Sequence, residues 1–195
     1  GKKGFRSSRS PAPEAVSAAR LFRDDSDRQL VFTYSRKEQL FGANRVNEEG
    51  IGFPRPIRTQ GPVQLMQLES LSGLDGKDGK ETYLLWVEKK GAGFAVQVVE
   101  ADRASKALAD SASGAFAVPS RTLKFLIKGQ EQAHLPNRPV RLAFADFNGD
   151  HTLDLIVFWA YSGKESLFLG KGKGRFEEVL SEQGIISREG DKAGL

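Results

Sequence analysis

Tyr34-Ser35-Arg36-Lys37-Glu38-Gln39-Leu40-Phe41 returns later in the chain as Tyr161-Ser162-Gly163-Lys164-Glu165-Ser166-Leu167-Phe168, with six of eight residues the same. Internal repetition sets a fold, because one repeat cannot bury its apolar face alone and must stack against the next. An apolar run lies at or just before each copy, Leu30-Val31-Phe32 and Leu155-Ile156-Val157-Phe158-Trp159. A third equivalent, Tyr83-Leu84-Leu85-Trp86-Val87, follows a similar acidic, polar loop. Three units result.

Gly-rich turns lead into Phe at Gly4-Phe5, Gly50-Ile51-Gly52-Phe53, Gly114-Ala115-Phe116 and Gly174-Arg175-Phe176. Between these marks the segments are short, rich in β-branched and aromatic residues, and divided by Gly, Asn, Asp and Pro. That is the signature of antiparallel strands joined by turns. For the last unit it predicts four strands near 140–146, 154–160, 165–169 and 176–180. Leu155 to Trp159 is apolar at every position, which predicts a strand covered on both faces by neighbouring sheets. Trp86 and Trp159 therefore read as core between sheets. The Ala-rich stretch Ala101 to Ser113 reads as a solvated excursion, a loop or a short helix.

A chain of 195 residues, 39% hydrophobic and 28% charged, supports one folded, loop-rich unit. With no cysteine, disulfides, thiolate nucleophiles and Cys-based metal sites are excluded; two histidines leave little for histidine-built metal catalysis. The longest apolar run, Leu155 to Ala160, is far short of the roughly 20 residues of a membrane helix. Gly1-Lys2-Lys3-Gly4 has neither an initiator Met nor an apolar signal core, and reads as the start of an internal or processed piece. The net charge of +4 is too small and too scattered to specify an acidic partner.

The chemistry concentrates in Asp146-Phe147-Asn148-Gly149-Asp150-His151-Thr152-Leu153-Asp154. Side-chain oxygens fall at loop positions 1, 3, 5 and 9, with the Thr152 carbonyl at 7, a spacing that lets a tight turn wrap one hard cation. The candidate calcium ligands are Asp146, Asn148, Asp150, Thr152 and Asp154. A helix-loop-helix site is excluded, because position 12 is Val157 rather than Glu and the flanks read as strands. The competing reading is an Asx-rich turn held by its own side-chain to backbone bonds.

These residues resemble the FG-GAP or VCBS-type repeat of β-propellers, the calcium-loop blade of integrin α subunits and many bacterial exported proteins. The match runs through Ala145 to Asp150, Asp154-Leu155 and Gly172-Lys173-Gly174-Arg175-Phe176. It departs at His151, where the family has Gly, so that a left-handed backbone there would carry strain. The loops Arg23 to Asp27 and Asp75 to Glu81 look eroded and without metal. The resemblance implies an all-β fold of about three four-stranded antiparallel blades of a β-propeller, an incomplete ring. Its divisions are 1–16, the last strand of a preceding blade with a linker; 17–62, a blade; and 63–139, a blade with an insertion near 101–113. The calcium-loop blade follows at 140–184, then the start of a further blade or tail at 185–195.

Rings use roughly four to eight blades. The missing ones are therefore expected from the parent chain, a companion chain or a second copy. The implied function is binding or scaffolding in a larger exported protein, extracellular or periplasmic, with a protein or glycan ligand. The alternatives are part of a propeller hydrolase or lyase with its catalytic residues in other blades, and a lectin-like module. No catalytic residue is assigned. Gly170 to Gly174 lacks the phosphate-loop order and reads as a hairpin turn. Lys171, Lys173, Arg175, Lys2 and Lys3 would form a basic rim, but the matching tip Asn47-Glu48-Glu49 interrupts it, so no nucleic-acid footprint is expected. His134 reads as a surface residue.

Overall fold

The computed structural model describes residues 18–37, 40–47, 50–51, 54–74, 79–90, 93–126, 138–160 and 165–179. The strand expected at Phe5, the segments 1–16 and 185–195, and His134 lie outside the described residues. The first sheet runs β1 (Ala18–Arg23), β2 (Gln29–Ser35), β3 (Leu40–Asn47) and β4 (Gly50–Ile51), with β5 (Arg55–Pro56) also paired to β3. The second contains β6 (Val63–Ser72), β7 (Lys80–Lys90), β8 (Gly93–Glu100) and β9 (Arg121–Thr122), and the helix α1 (Ala101–Asp110) stands between its last two strands. The third takes β10 (Lys124–Leu126), β11 (Pro139–Ala145), β12 (Asp154–Trp159), β13 (Glu165–Gly170) and β14 (Arg175–Val179), in spatial order β10-β14-β13-β12-β11. Among the described residues, the β10 to β14 pairing is the one parallel pairing within these sheets. The described residues are thus mostly β, in three sheets built of antiparallel strands apart from that one pairing, and none of these sheets closes on itself.

Period-two alternation explains how the sheets stack. On β7, Leu84 and Trp86 enter one core with Leu30, Phe32, Tyr34 and Phe41 of the first sheet. Tyr83, Leu85 and Val87 enter a second core with Leu142, Leu155, Val157, Phe168 and Phe176 of the third. The apolar run of the middle unit is therefore covered on both faces. The expectation that Leu155 to Trp159 would be covered in the same way is corrected. Leu155 and Val157 are buried, whereas Ile156 and Phe158, on the opposite face, are only partly so. That face has no fourth sheet against it among the described residues. Trp159 is partly buried at the margin of the second core, 6.0 Å from the Phe94 ring, with Nε1 donating to Ser166 Oγ at 3.1 Å.

The repeated octapeptides lie in and beside the β2–β3 and β12–β13 connections, and their last residues, Phe41 and Phe168, are both buried. Side chains tie the sheets where strands do not pair. Tyr34 Oη donates to the Val63 carbonyl at 2.8 Å. The Gln67 amide on β6 both donates to Leu142 O at 3.1 Å and accepts from Leu142 N at 2.7 Å, acting as a short stretch of strand toward β11.

Of the two forms expected for 101–113, a loop or a short helix, the helix is present over Ala101–Asp110, but its solvation is corrected. Residues Ala101, Ala104, Ser105 and Leu108 recur at helical spacing and are buried. They fit against β7 and β8 because three of the four side chains are too small to hold the helix away. A loop and a strand of the first unit grip its two ends. Asp102 Oδ1 accepts the Asp25 N–H at 3.0 Å, and Arg55 Nη1 donates to the terminal carbonyls of Leu108 at 3.1 Å and Ser111 at 2.9 Å. Nor does Gly114-Ala115-Phe116 occupy the place of Gly174-Arg175-Phe176. Phe116 bridges Ile57 of the first unit, while Phe176 lies in β14.

Candidate functional site

The loop 146–153 closes the hairpin between β11 and β12, where Ala145 pairs with Asp154. Short acceptor side chains build it. Asp146 Oδ1 takes the N–H groups of Gly149 at 2.7 Å and Asp150 at 3.1 Å, and its Oδ2 takes that of His151 at 2.8 Å. Asn148 Oδ1 accepts from Asp150 N at 3.0 Å, and Asp150 Oδ1 accepts from Thr152 N at 2.7 Å. Gly149 and His151 both adopt left-handed backbone, with φ of 76° and 63°. His151 therefore takes a conformation that glycine would adopt without strain, and bears the cost expected of a non-Gly residue at such a position.

Asp154 differs from the rest. It is fully buried; Oδ2 accepts the Phe147 N–H at 2.9 Å, and Oδ1 accepts that of Gly170 at 2.7 Å, from the far end of β13. A side chain at Gly170 would collide with the Leu153 carbonyl and the Thr152 methyl, so the loop rests directly on that glycine. Asp154 thus locks the loop to the neighbouring hairpin.

The five sequence-predicted ligands follow one another through this turn and into the first residue of β12. Asp146, Asn148 and Asp150 are exposed on the rim, Thr152 is partly buried and Asp154 points inward. Among the described residues no group of three or more Asp, Glu, His or Cys side chains converges closely enough to hold a metal. Hydrogen bonds from the Asn148 amide and Thr152, with the charge of Lys171 adding to them, hold the Asp150 carboxyl below its usual range. The rim carboxylate is therefore ionised. His151 Nδ1 lies 3.9 Å from Asp146 Oδ2. In kind these donors suit calcium, which takes oxygen ligands.

The corresponding loop of the first unit, residues 24–28, solves its charge differently. Asp24 is buried and paired to Arg28 at 2.7 Å, accepts the N–H groups of Ser26 and Arg28, and receives the Ser105 hydroxyl from α1. A guanidinium stands with this carboxylate. Arg28, four residues on, was legible in the sequence as a possible partner, whereas Ser105 was not, being 81 positions away. Of the middle loop, residues 75–78 lie outside the described residues.

Burial raises the Asp24 pKa, but hydrogen bonds from Ser105 and Arg28 and the Arg28 charge outweigh it, leaving the group below its ordinary 3.8. A depressed folded-state pKa contributes stability above the unfolded value that disappears as pH falls through the folded one. Denaturant melts of wild type and Asp24→Asn should therefore differ at pH 7 and converge below about pH 4. A gap that widens on acidification would contradict the assignment.

Gly170 to Gly174 forms a hairpin turn, with Lys171 N bonded to Arg175 O at 2.8 Å and Arg175 N to Gly172 O at 3.2 Å. Lys171 is paired with Glu177 at 3.0 Å, and Lys2 and Lys3 lie outside the described residues. No described helix is long and apolar enough to cross a membrane. Comparison of the chain with protein-family models, curated proteins and solved structures finds no match.

Proposed function

We propose that this chain is a calcium-binding β-propeller segment of the FG-GAP or VCBS type, serving as a binding or scaffolding module in a larger exported protein. One observation carries the reading: β7 is buried on both faces between two further antiparallel sheets, with β6 beside both β1 and β11. Blades stacked around an axis require that packing, with first strands adjacent and faces in contact. The half-covered face of β12 is where a further blade would sit, supplied by the parent chain, a companion chain or a second copy.

Calcium is assigned to Asp146, Asn148, Asp150, the Thr152 carbonyl and Asp154. The support is the oxygen spacing, the left-handed backbone at His151 and the absence, among the described residues, of a Lys or Arg ion pair on these carboxylates. Weak loops of this kind fill at roughly millimolar calcium, the level of extracellular modules, which is why the module belongs outside the cytoplasm.

Titration calorimetry with calcium chloride tests the proposal. Wild type should give a saturable heat with one ion per chain. Asp150→Ala should bind at least about tenfold more weakly, the loss of one charged ligand being worth about 1.4 kcal/mol or more. Equal heats, or none in either protein, would remove calcium from the reading while leaving the stacked sheets in place.

A further inference from the structure

The chain passes from the second sheet to the third between two successive residues. Leu123 N donates to Val96 O at 2.9 Å, and Lys124 N donates to Gly174 O at 3.1 Å. This hand-over opens a cleft of about 430 Å3 at the seam, lined by Arg121, Thr122, Lys124, Lys173, Gly174 and Arg175. Among the described residues that line it, four of six are cationic and none is acidic. They come from both sides of the seam, two on the 121–124 segment and two on the turn that enters β14.

The walls are specifically shaped. Gly172, Lys173 and Gly174 run in succession at φ of 71°, 53° and 67°. Lysine in that conformation is strained where glycine would not be, so the turn holds a charged side chain at the cleft at a cost. A Cβ on Gly174 would stand 2.6 Å from Arg121 Nη1, so the guanidinium lies across the bare glycine. Arg121 donates to the carbonyls of Leu74 at 3.1 Å and Lys173 at 3.4 Å, which fix its plane. Burial pulls its pKa below the usual arginine value. Lys124, Lys173 and Arg175 are exposed.

We propose that this cleft binds a small molecule bearing a phosphate or sulfate ester, with Arg121, Lys124, Lys173 and Arg175 supplying the charge and the donors. The volume falls within the roughly 300 to 1,000 Å3 of small-ligand sites. A planar guanidinium beside exposed ammonium groups is a donor set that suits tetrahedral oxyanions. The site lies on the β13–β14 side of the third sheet and does not depend on calcium.

Calorimetry on the full chain with inorganic pyrophosphate, and in a second arm with a sulfated disaccharide, tests the site in chelator-treated buffer. Binding in the first arm alone identifies a phosphate ligand, and in the second alone a sulfated one. Lys124→Gln and Arg175→Gln, both exposed changes, should each weaken binding about tenfold, one charge-assisted hydrogen bond. Gly174→Ala should weaken it as well by pushing Arg121 aside, and Lys80→Gln, on β7, should leave it unchanged. Absence of binding in both arms, or equal losses from Lys80→Gln and the cleft variants, overturns the proposal. Circular dichroism spectra matching wild type establish that any loss belongs to the site.

Discussion

Trp86→Ala should lower the free energy of unfolding by about 3 to 5 kcal/mol, the range for truncating a large buried aromatic. Trp86 is 2% exposed and packs with Phe41 at a ring separation of 5.3 Å, within the core between the first and second sheets. Its Nε1 donates to Glu88 Oε1 at 2.7 Å, and Glu88 is itself 3% exposed. The substitution therefore leaves both a cavity and a buried carboxylate short of a donor. Trp159→Ala should cost clearly less, because that ring is only partly buried at a margin. Guanidinium melts of the two variants give the order. Equal midpoints would mean that β7 is not the doubly covered strand.

Asp154→Ala should cost about 3 kcal/mol, since it leaves the N–H groups of Phe147 and Gly170 without their acceptor, and each unsatisfied buried group costs roughly 1 to 3. Asp154→Asn keeps the shape and one acceptor oxygen, and should fall in between. Melts in excess chelator separate this role from metal binding. A loss that persists without calcium belongs to the hydrogen bonds, whereas one that appears only with calcium present would make Asp154 solely a ligand and refute the lock. Asp150→Ala, exposed on the rim, should be nearly silent in chelator.

Much of the strand pattern was legible because alternation and turn residues are local properties. Strands expected near 140–146, 154–160, 165–169 and 176–180 appear as Pro139–Ala145, Asp154–Trp159, Glu165–Gly170 and Arg175–Val179. The octapeptide repeat marked equivalent hairpins, since a turn and the buried Phe after it are encoded within a few residues of each other. Spacing likewise brought Asp146, Asn148, Asp150, Thr152 and Asp154 onto one turn. It was silent on their directions. Asp154 points inward because Gly170, sixteen residues later, offers it an N–H.

Other features depend on partners far apart in the chain. Tyr83 to Val87 and Leu155 to Trp159 are equally apolar, yet among the described residues the first strand is covered on both faces and the second fully on only one. Which sheet lies in the middle of a stack is a property of the whole assembly, and no local pattern records it. Ala101 to Asp110 looked solvated because its buried stripe is mostly alanine and serine. Small side chains acquire a core role only when a neighbouring sheet comes close enough to touch them. Arg121 and Lys124 carried no signal as isolated cations. They became the wall of a cleft when the chain changed sheets between Leu123 and Lys124 and the turn at Lys173 arrived from fifty residues away. Local alternation thus set the strands and the acidic turn, and long-range packing chose which faces, carboxylates and cations would meet, because burial and charge act on neighbours in space rather than in sequence.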